Sequence, residues 1–176
     1  MIRLATAKDL PHIMKVIAEG KAYLASQNVD QWQLDYPNIH VISSDIDNEK
    51  SYVFEDEFGR IIATFMLTNE DEENYHTIRD GQWLTVSSPK NPSYIAIHRM
   101  ATSQSMKKPG TASKMLEFAA QKGREKNCES IRIDTHPDNL AMKKLLEKSG
   151  FKLCGTISLP PSRKEASLRE GFERLL

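Results

Sequence analysis

The alternation of apolar and polar residues predicts a mixed series of strands and helices. Residues 2–4 form a short apolar run, and Thr6 then precedes apolar positions at helical spacing over residues 10–18. We expect a strand followed by an amphipathic helix. A second helical stretch is predicted after Asn28, in DQWQLDYPN, and is expected to end at Pro37.

The middle of the chain carries the signals of a hairpin and a long loop. Two β-rich runs, residues 51–55 and 60–68, are joined by DEFG, in which Gly59 supplies the turn. Residues 69–92 are polar, and we predict a loop with one helical turn near Tyr75. We interpret the acidic run NEDEEN in this loop as solvated surface.

The second half of the chain reads as a strand, a loop, a helix and a strand. YIAIHRMAT, residues 94–102, is mostly apolar, as is typical of a strand buried on both faces. The pattern predicts a helix over residues 112–126 and a strand over residues 130–136. This order is that of a β-α-β crossover.

A further helix is predicted to begin at residues 137–139 and to end at Gly150, with three apolar residues facing inward. Those residues are Met142, Leu145 and Leu146. A strand is expected over residues 151–159, and the chain closes with a basic segment followed by Phe172 and two leucines, residues 175–176.

Length, charge and cysteine content favour one globular domain over residues 1–176. Basic and acidic residues balance at 24 each, so no global positive field draws the chain to nucleic acid or to an anionic membrane. Cys128 and Cys154 are isolated, and we interpret them as reduced thiols. Without a signal-like or membrane-spanning apolar run, the expected location is the cytosol.

The segment KKPGTA, residues 107–112, is the clearest candidate for an anion site. The first N–H groups of a helix lack internal partners and attract phosphate, and Lys107 and Lys108 add positive charge. Gly110 lets a phosphate approach the backbone, and the small residues Ala112 and Ser113 keep the first turn open. Taken alone, the segment also fits an ordinary basic turn.

Two motifs in order resemble the GNAT superfamily of acyl-CoA-dependent N-acyltransferases. Residues 107–112 follow its signature Q/R-x-x-G-x-G/A at every fixed position except the first, and they lie between an apolar strand and an amphipathic helix. The second motif, an Asn after the next strand followed by a helix and Gly-Phe, is met by Asn139, Gly150 and Phe151. The resemblance covers nearly the full chain and implies an α/β fold with a mixed, mostly antiparallel, centrally splayed sheet flanked by helices.

The resemblance implies acetyl-CoA as cosubstrate and no metal. The backbone of residues 100–102 would pair with the pantetheine arm, residues 107–113 would hold the pyrophosphate, and Asn139 would bond the pantetheine or phosphate region. The implied cofactor contacts are Met100, Ala101, Thr102, Lys107, Lys108, Gly110, Thr111, Ala112, Ser113 and Asn139. The implied reaction is transfer of acetyl to a primary amine by direct attack in a ternary complex.

The implied acceptor is a small-molecule amine or a peptide, and a homodimer is one expectation because dimers are common in the family. The sequence departs from the family pattern at three positions. Lys107 replaces Gln or Arg, and Pro109 has no N–H to donate. Leu146 occupies the position where many members carry a tyrosine as general acid. This last departure keeps open a non-catalytic CoA-binding sensor or interaction module of the same fold.

His98 is the first candidate for the general base. An ammonium acceptor must lose a proton before it attacks the thioester, and histidine suits this task near neutral pH. A structural histidine in a buried strand fits the pattern equally well. Asp134 and His136 are the next candidates, although Asp134 is expected to anchor a loop. Packing is the favoured role for four aromatic residues that could also line an acceptor pocket: Trp32, Tyr36, Trp83 and Tyr94.

Two other nucleotide-binding classes do not fit the sequence. A Rossmann enzyme would carry G-x-G-x-x-G in an alternating βαβ first half, and neither is present. A Walker-type hydrolase would carry G-x-x-x-x-G-K-[ST], which does not occur.

Overall fold

A computed structural model describes residues 1–160 and 168–176. Part of the predicted basic segment near the end of the chain lies outside the described residues. The chain forms two compact units, each drawn from two stretches of sequence. The first unit comprises Met1–Leu67 and His98–Met115, and the second comprises Thr68–Ile97 and Leu116–Leu176.

The first unit contains the predicted first strand and hairpin. Strand β1 (Ile2–Leu4) pairs antiparallel with β2 (Ser51–Glu55), which pairs antiparallel with β3 (Ile61–Thr68). Gly59 takes φ 73° in the turn, a left-handed value that glycine adopts without steric cost. The hairpin prediction is confirmed, and β3 is buried along its whole length.

Two helices of the first unit are α1 (Leu10–Ser26) and α2 (Ile39–Asp47). The prediction of a helix between Asn28 and Pro37 is wrong. Trp32 has φ 65° in that stretch, a left-handed value that cannot continue a right-handed helix. The helix begins instead after Asn38, whose side chain accepts a hydrogen bond from the Val41 N–H at 3.1 Å and so caps it.

Strand β4 (Tyr94–Thr102) and helix α3 (Thr111–Glu125) cross from one unit to the other. Both were predicted with nearly these bounds. Residues 94–97 belong to the second unit and are buried on both faces. They pair in parallel with β5 (Ser130–Thr135). The register covers four pairs and ends where Ile97 meets Ile133.

The second unit orders its strands β4, β5, β7, β6, and the pairs β5–β7 and β6–β7 are antiparallel. Helix α4 (Leu140–Lys148) and strand β6 (Lys152–Ser158) agree with prediction. Strand β7 (Leu168–Leu175) was not assigned from the sequence. Its segment LREGFERL reads as polar, yet the charged residues Arg169 and Glu173 are buried in it.

Each unit has its own apolar core. In the first, α1, α2 and the β-strands share a cluster that includes Ile13, Ile17 and Ile42. Helix α1 packs closely on β4, because a Cβ built on Gly20 would lie 3.5 Å from the Cβ of Ala101. In the second, Tyr75 lies in a cluster with aromatic and aliphatic neighbours. Among the described residues, no helix has the length and apolar character needed to span a bilayer.

Candidate active site

The candidate cofactor residues 100–113 all lie in the first unit, on β4, the loop after it and the start of α3. Met100 and Ala101 are buried, and Thr102 ends the strand half-buried. The chain leaves the strand at Ser103, which is fully buried and donates its N–H to the Ile62 carbonyl at 2.8 Å. The position at which the loop leaves the strand is therefore fixed by hydrogen bonding and burial.

Glu19 on α1 holds the loop that follows β4. Its carboxylate accepts from the Ser103 hydroxyl at 2.7 Å, the Gln104 N–H at 2.7 Å and the Ser105 hydroxyl at 2.8 Å. Burial by itself would raise the pKa of this carboxyl, but the hydrogen bonds outweigh burial and lower the pKa to about 2. Glu19 is therefore ionised at neutral pH and ties the loop to a helix.

The loop bonds continue to the edge of the predicted anion site. The Met106 N–H donates to the Ser103 hydroxyl at 3.1 Å, so Lys107 follows a fully tethered turn. The Lys107 ammonium lies 6.0 Å from the centre of the Tyr23 ring. The Lys108 ammonium is bonded to the Glu57 carboxylate in the hairpin turn. Part of the positive charge expected at this site is therefore balanced within the protein.

Helix α3 begins as an anion site requires. Gly110 has φ 79°, and a Cβ at this position would meet nothing within 4 Å, so the backbone is approachable here. Thr111 donates its hydroxyl to the Lys108 carbonyl at 2.9 Å, and the Lys114 N–H donates to the Gly110 carbonyl at 3.0 Å. The N–H groups of Ala112 and Ser113, between them, lie in the first turn and have no carbonyl partner within the helix.

Asn139 and Leu146 lie in the second unit, on α4. The Asn139 side chain accepts a hydrogen bond from the Met142 N–H at 3.2 Å and serves as the N-cap of the helix. A structural role is thus established for the residue that the motif assigns to the cofactor. Leu146 is completely buried. Neither its chemistry nor its position suits proton transfer.

His98 is the first residue of β4 in the first unit and is half-buried. Arg99, directly after it, has φ 51°, a left-handed value inside a strand. The Arg99 guanidinium makes two hydrogen bonds to the Asp45 carboxylate, at 2.6 and 2.8 Å, and a third to the Tyr36 hydroxyl at 2.7 Å. Burial raises the pKa of the Asp45 carboxyl, and the charges of Arg99 and His98 act in the opposite direction.

The two alternative base candidates have structural partners in the second unit. Asp134 accepts a hydrogen bond from the Tyr75 hydroxyl at 2.7 Å, which is the loop-anchoring role expected for it. Burial, reinforced by Asp134, raises the pKa of Tyr75 well above its usual value. The Nδ1 atom of His136 accepts from the Asp138 N–H at 3.1 Å. Both side chains therefore stabilise the ends of β5 and the start of α4.

Most of the aromatic residues weighed as pocket walls take packing roles. Trp32 is a buried member of the first core. The rings of Trp83 and Tyr94 lie on the Arg132 guanidinium, 4.4 and 4.2 Å from it. Tyr36 is the exception, since its hydroxyl joins the Arg99 network. Within residues 1–160 and 168–176, no three His, Cys, Asp or Glu side chains cluster as a metal site would need.

Sequence reasoning missed Glu19 and the pair of Asp45 and Arg99. A usable signal existed for Asp45, which lies between Ile42 and Ile46 on the apolar face of α2. A carboxylate on such a face needs a buried cationic partner. The identity of that partner was not readable, because Arg99 is 54 residues away in sequence.

Comparison with known proteins gave one family match and many similar structures. A model of the Acetyltransferase (GNAT) family matches residues 20–151. The crystal structure of a GNAT-family acetyltransferase from Streptococcus agalactiae is 28% identical, with a TM-score of 0.82, over 100% of this chain and 95% of that one. A search of curated protein sequences gave no match.

Two more distant structures share the fold. The ribosomal-protein-alanine N-acetyltransferase from Brucella melitensis is 16% identical, with a TM-score of 0.68, over 100% of this chain and 98% of that one. The N-acetylglutamate synthase from Neisseria gonorrhoeae, solved with coenzyme A and N-acetylglutamate, is 18% identical, with a TM-score of 0.62. That match covers 100% of this chain and 35% of the synthase.

The strands pair in a mixed, mostly antiparallel sheet flanked by helices, as in the similar GNAT structure. The family model that matches residues 20–151 gives the same assignment. The chemistry common to that assignment is transfer of an acyl group from a CoA donor. The chain belongs to the GNAT family of acetyltransferases.

Proposed function

We propose that the chain, acting as a single domain, transfers acetyl from acetyl-CoA to the primary amine of a small molecule or peptide by direct attack in a ternary complex. The observation that carries this proposal is the start of α3. The chain belongs to an acetyltransferase family, and its helix α3 begins directly after a loop that Glu19 holds in place. The backbone at Gly110 is open to approach, so the N-terminus of α3 can bind an anion.

The cosubstrate would follow the chain from β4 to α3. The backbone of residues 100–102 pairs with the pantetheine arm as an added strand would. The N–H groups of Ala112 and Ser113, with the Lys107 ammonium, attract the pyrophosphate. Because Pro109 has no N–H, this anion site is narrower than the full run of residues 107–113. The contact that the motif assigns to Asn139 stays a prediction, and its side-chain oxygen caps α4.

His98 would take the proton from the acceptor ammonium. If pantetheine lies along residues 100–102 and the pyrophosphate beyond them, the thioester lies on the His98 side of Met100. A half-buried imidazole at that end can reach both solvent and the acceptor. The departing thiolate is a good leaving group, so a water can protonate it in place of the tyrosine that Leu146 replaces.

The proposed acceptor is a primary amine, carried either by a peptide or by a small molecule. The two distant relatives carry the names of enzymes that acetylate a protein alanine and that make N-acetylglutamate. Either a peptide amine or a small amine therefore fits the fold. A non-catalytic CoA-binding module is the second candidate, and the complete burial of Leu146 at the usual acid position favours it.

Free thiol release from acetyl-CoA, measured with a panel of small amines and peptides, tests the proposal. We expect turnover with at least one amine, and calorimetry should show that acetyl-CoA binds without an acceptor. Binding without turnover on any amine would support the CoA-binding module. Failure to bind acetyl-CoA at all would refute both functions.

Replacement of His98 by alanine tests the assigned base. Removal of a general base costs roughly 100-fold or more in rate, so kcat at neutral pH should fall by that order. The dissociation constant for CoA should stay close to its original value. A variant with the original rate and pH profile would exclude His98 as the base.

A further inference from the structure

Arg99 holds a backbone conformation that its side chain alone does not favour. Its φ of 51° lies in the left-handed region, where the Cβ of an L residue crowds the following carbonyl. Glycine, Asn and Asp tolerate this region best, and Arg is not among them. Such a residue persists in a strand only when its surroundings determine its conformation.

The surroundings that determine it are the Asp45 carboxylate and the Tyr36 hydroxyl. Nε and Nη2 of Arg99 donate to the two oxygens of Asp45, at 2.6 and 2.8 Å, which is the paired geometry that fits a planar guanidinium. Nη1 donates to the Tyr36 oxygen at 2.7 Å. The Arg99 and Asp45 side chains are only 12% and 11% exposed, so water competes weakly for these bonds.

The two partners are themselves well fixed. Tyr36 lies just before α2, whose first turn is capped by Asn38. Asp45 lies in the last part of the same helix, beside Ile46, which is buried in the first core. Helix α2 therefore places Asp45, and the short segment that leads directly into the helix places Tyr36.

The residues on either side of Arg99 are those proposed to meet the reacting groups. His98 precedes it and Met100 follows it. A left-handed residue inside a strand interrupts the regular alternation of side chains, as in a β-bulge. His98 and Arg99 are accordingly both half-buried, whereas Met100 and Ala101 are buried. Of these residues, Arg99 contacts Asp45 directly, at 2.6 and 2.8 Å.

We propose that Asp45 and Tyr36 are positioning residues, which clamp Arg99 in its left-handed conformation and thereby set the direction of the His98 ring and of the Met100 backbone. Arg99 acts through the backbone and does not itself contact the substrate. The clamp rests on the proposed function, because His98 and Met100 have a catalytic setting only in an acetyltransferase site.

Two double variants separate a backbone role from a substrate contact: Asp45→Asn with Arg99→Gly, and Asp45→Asn with Arg99→Ala. Both remove the ion pair and leave no buried charge unpaired. Glycine adopts φ 51° freely, whereas alanine does not. We expect kcat/KM of the glycine variant to exceed that of the alanine variant by about tenfold, the factor that such backbone strain corresponds to.

A spectroscopic measurement on the free protein accompanies the kinetics. The carbon-bound ring proton of His98, followed by NMR, should stay near its original position in the glycine variant and move in the alanine variant. If acetyl-CoA is not turned over by the original protein, the proposed function fails, and this measurement still decides the clamp. Lys122→Ala, in an exposed ion pair on α3, should leave both measurements unchanged.

Equal results for the two double variants would overturn the proposal. Equally low activity would indicate that Arg99 contacts the substrate, and activity close to the original would show that the clamp has no role. If the alanine variant does not fold, Tyr36→Phe replaces it. Loss of that one hydrogen bond should shift the His98 resonance and lower kcat/KM about threefold. An unmoved resonance would refute the clamp.

Discussion

Each unit of the protein contains a buried ion pair between an arginine and a carboxylate, and the two pairs differ in their backbones. In the second unit, Arg132 and Glu173 are opposite each other on β5 and β7, in regular strands. In the first unit, Arg99 takes a left-handed conformation to meet Asp45. The Arg132–Glu173 pair stabilises the pairing of two strands. The Arg99–Asp45 pair stabilises an irregular backbone conformation within a strand.

The Arg132–Glu173 pair has many further hydrogen bonds and ring contacts around it. Glu173 is completely buried and accepts from the Arg132 Nε at 3.0 Å, from two hydroxyls and from two backbone N–H groups. The Arg132 guanidinium also contacts the faces of two aromatic rings, those of Trp83 and Tyr94. The comparison teaches that burial of an ion pair does not by itself indicate function. Local backbone strain beside a titratable side chain is the more specific sign.

The largest expected effect is that of Glu173→Gln. The change leaves the Arg132 charge buried without its counter-ion, so the free energy of unfolding should fall by about 3 kcal/mol or more. Urea denaturation measures the loss. The folded variant should bind CoA as before, since the pair has a structural role. Glu125→Gln, in an exposed pair with Lys122, is the matched control and should lose no measurable stability.

Asp45→Asn should have a smaller effect on stability and a larger one on activity. Tyr36 still accepts from Arg99, and the pair retains some exposure, so the free energy of unfolding should fall by about 2 kcal/mol. The kcat of the folded variant should drop about tenfold as Arg99 relaxes. Urea denaturation and thiol release measure the two losses. If the variant lost stability but kept its kcat, the Arg99–Asp45 pair would have a purely structural role, like the Arg132–Glu173 pair.

Glu19→Gln should weaken cofactor binding and leave the contacts of Arg99 with Asp45 and Tyr36 unchanged. The amide keeps the size of the carboxylate but loses its charge-assisted bonds to the loop, so CoA affinity should fall about fivefold, with kcat at saturation little changed. Calorimetry measures the affinity. An unchanged dissociation constant would show that the loop needs no anchor on α1.

The Glu19 carboxylate also gives the original protein a defined loss of stability at acid pH. The folded pKa of Glu19, about 2, lies below its ordinary value of 4.5, so the folded state holds the proton less tightly than the unfolded state. Its stabilisation is therefore complete above pH 4.5 and is lost as the pH falls toward 2. Glu19→Gln should show a shallower loss of stability than the original protein between pH 4.5 and 3.

The smallest expected effect is that of Glu57→Gln. This change releases the Lys108 ammonium from its partner in the hairpin turn, so Lys108 becomes more available to phosphate. CoA affinity should rise about twofold at low salt, and the gain should vanish near 0.5 M salt because exposed charges are screened. Weaker binding would show that the Glu57 contact orients Lys108 for the cofactor.

Prediction of the fold from sequence succeeded where local signals agree with the final structure. The hairpin around Gly59 and the strand over residues 94–102 carry their own turn residues and apolar runs. Prediction failed at α2 and β7. The aromatic stretch before Pro37 suggested a helix, and the left-handed conformation of Trp32 excludes one. The charged residues Arg169 and Glu173 are buried in β7, so this strand lacks the apolar run that would have predicted it.

The sequence determined the family and the segment expected to hold the cofactor. Residues 107–112 with Asn139 and Gly150 are local motifs, and the family match over residues 20–151 agrees with the resemblance they showed. Tertiary structure alone decided how the segment is supported. Glu19 reaches a loop 84 to 86 residues away, and Asp45 meets Arg99 across 54 residues. Such pairings depend on which faces pack together, and no local pattern of side chains encodes them.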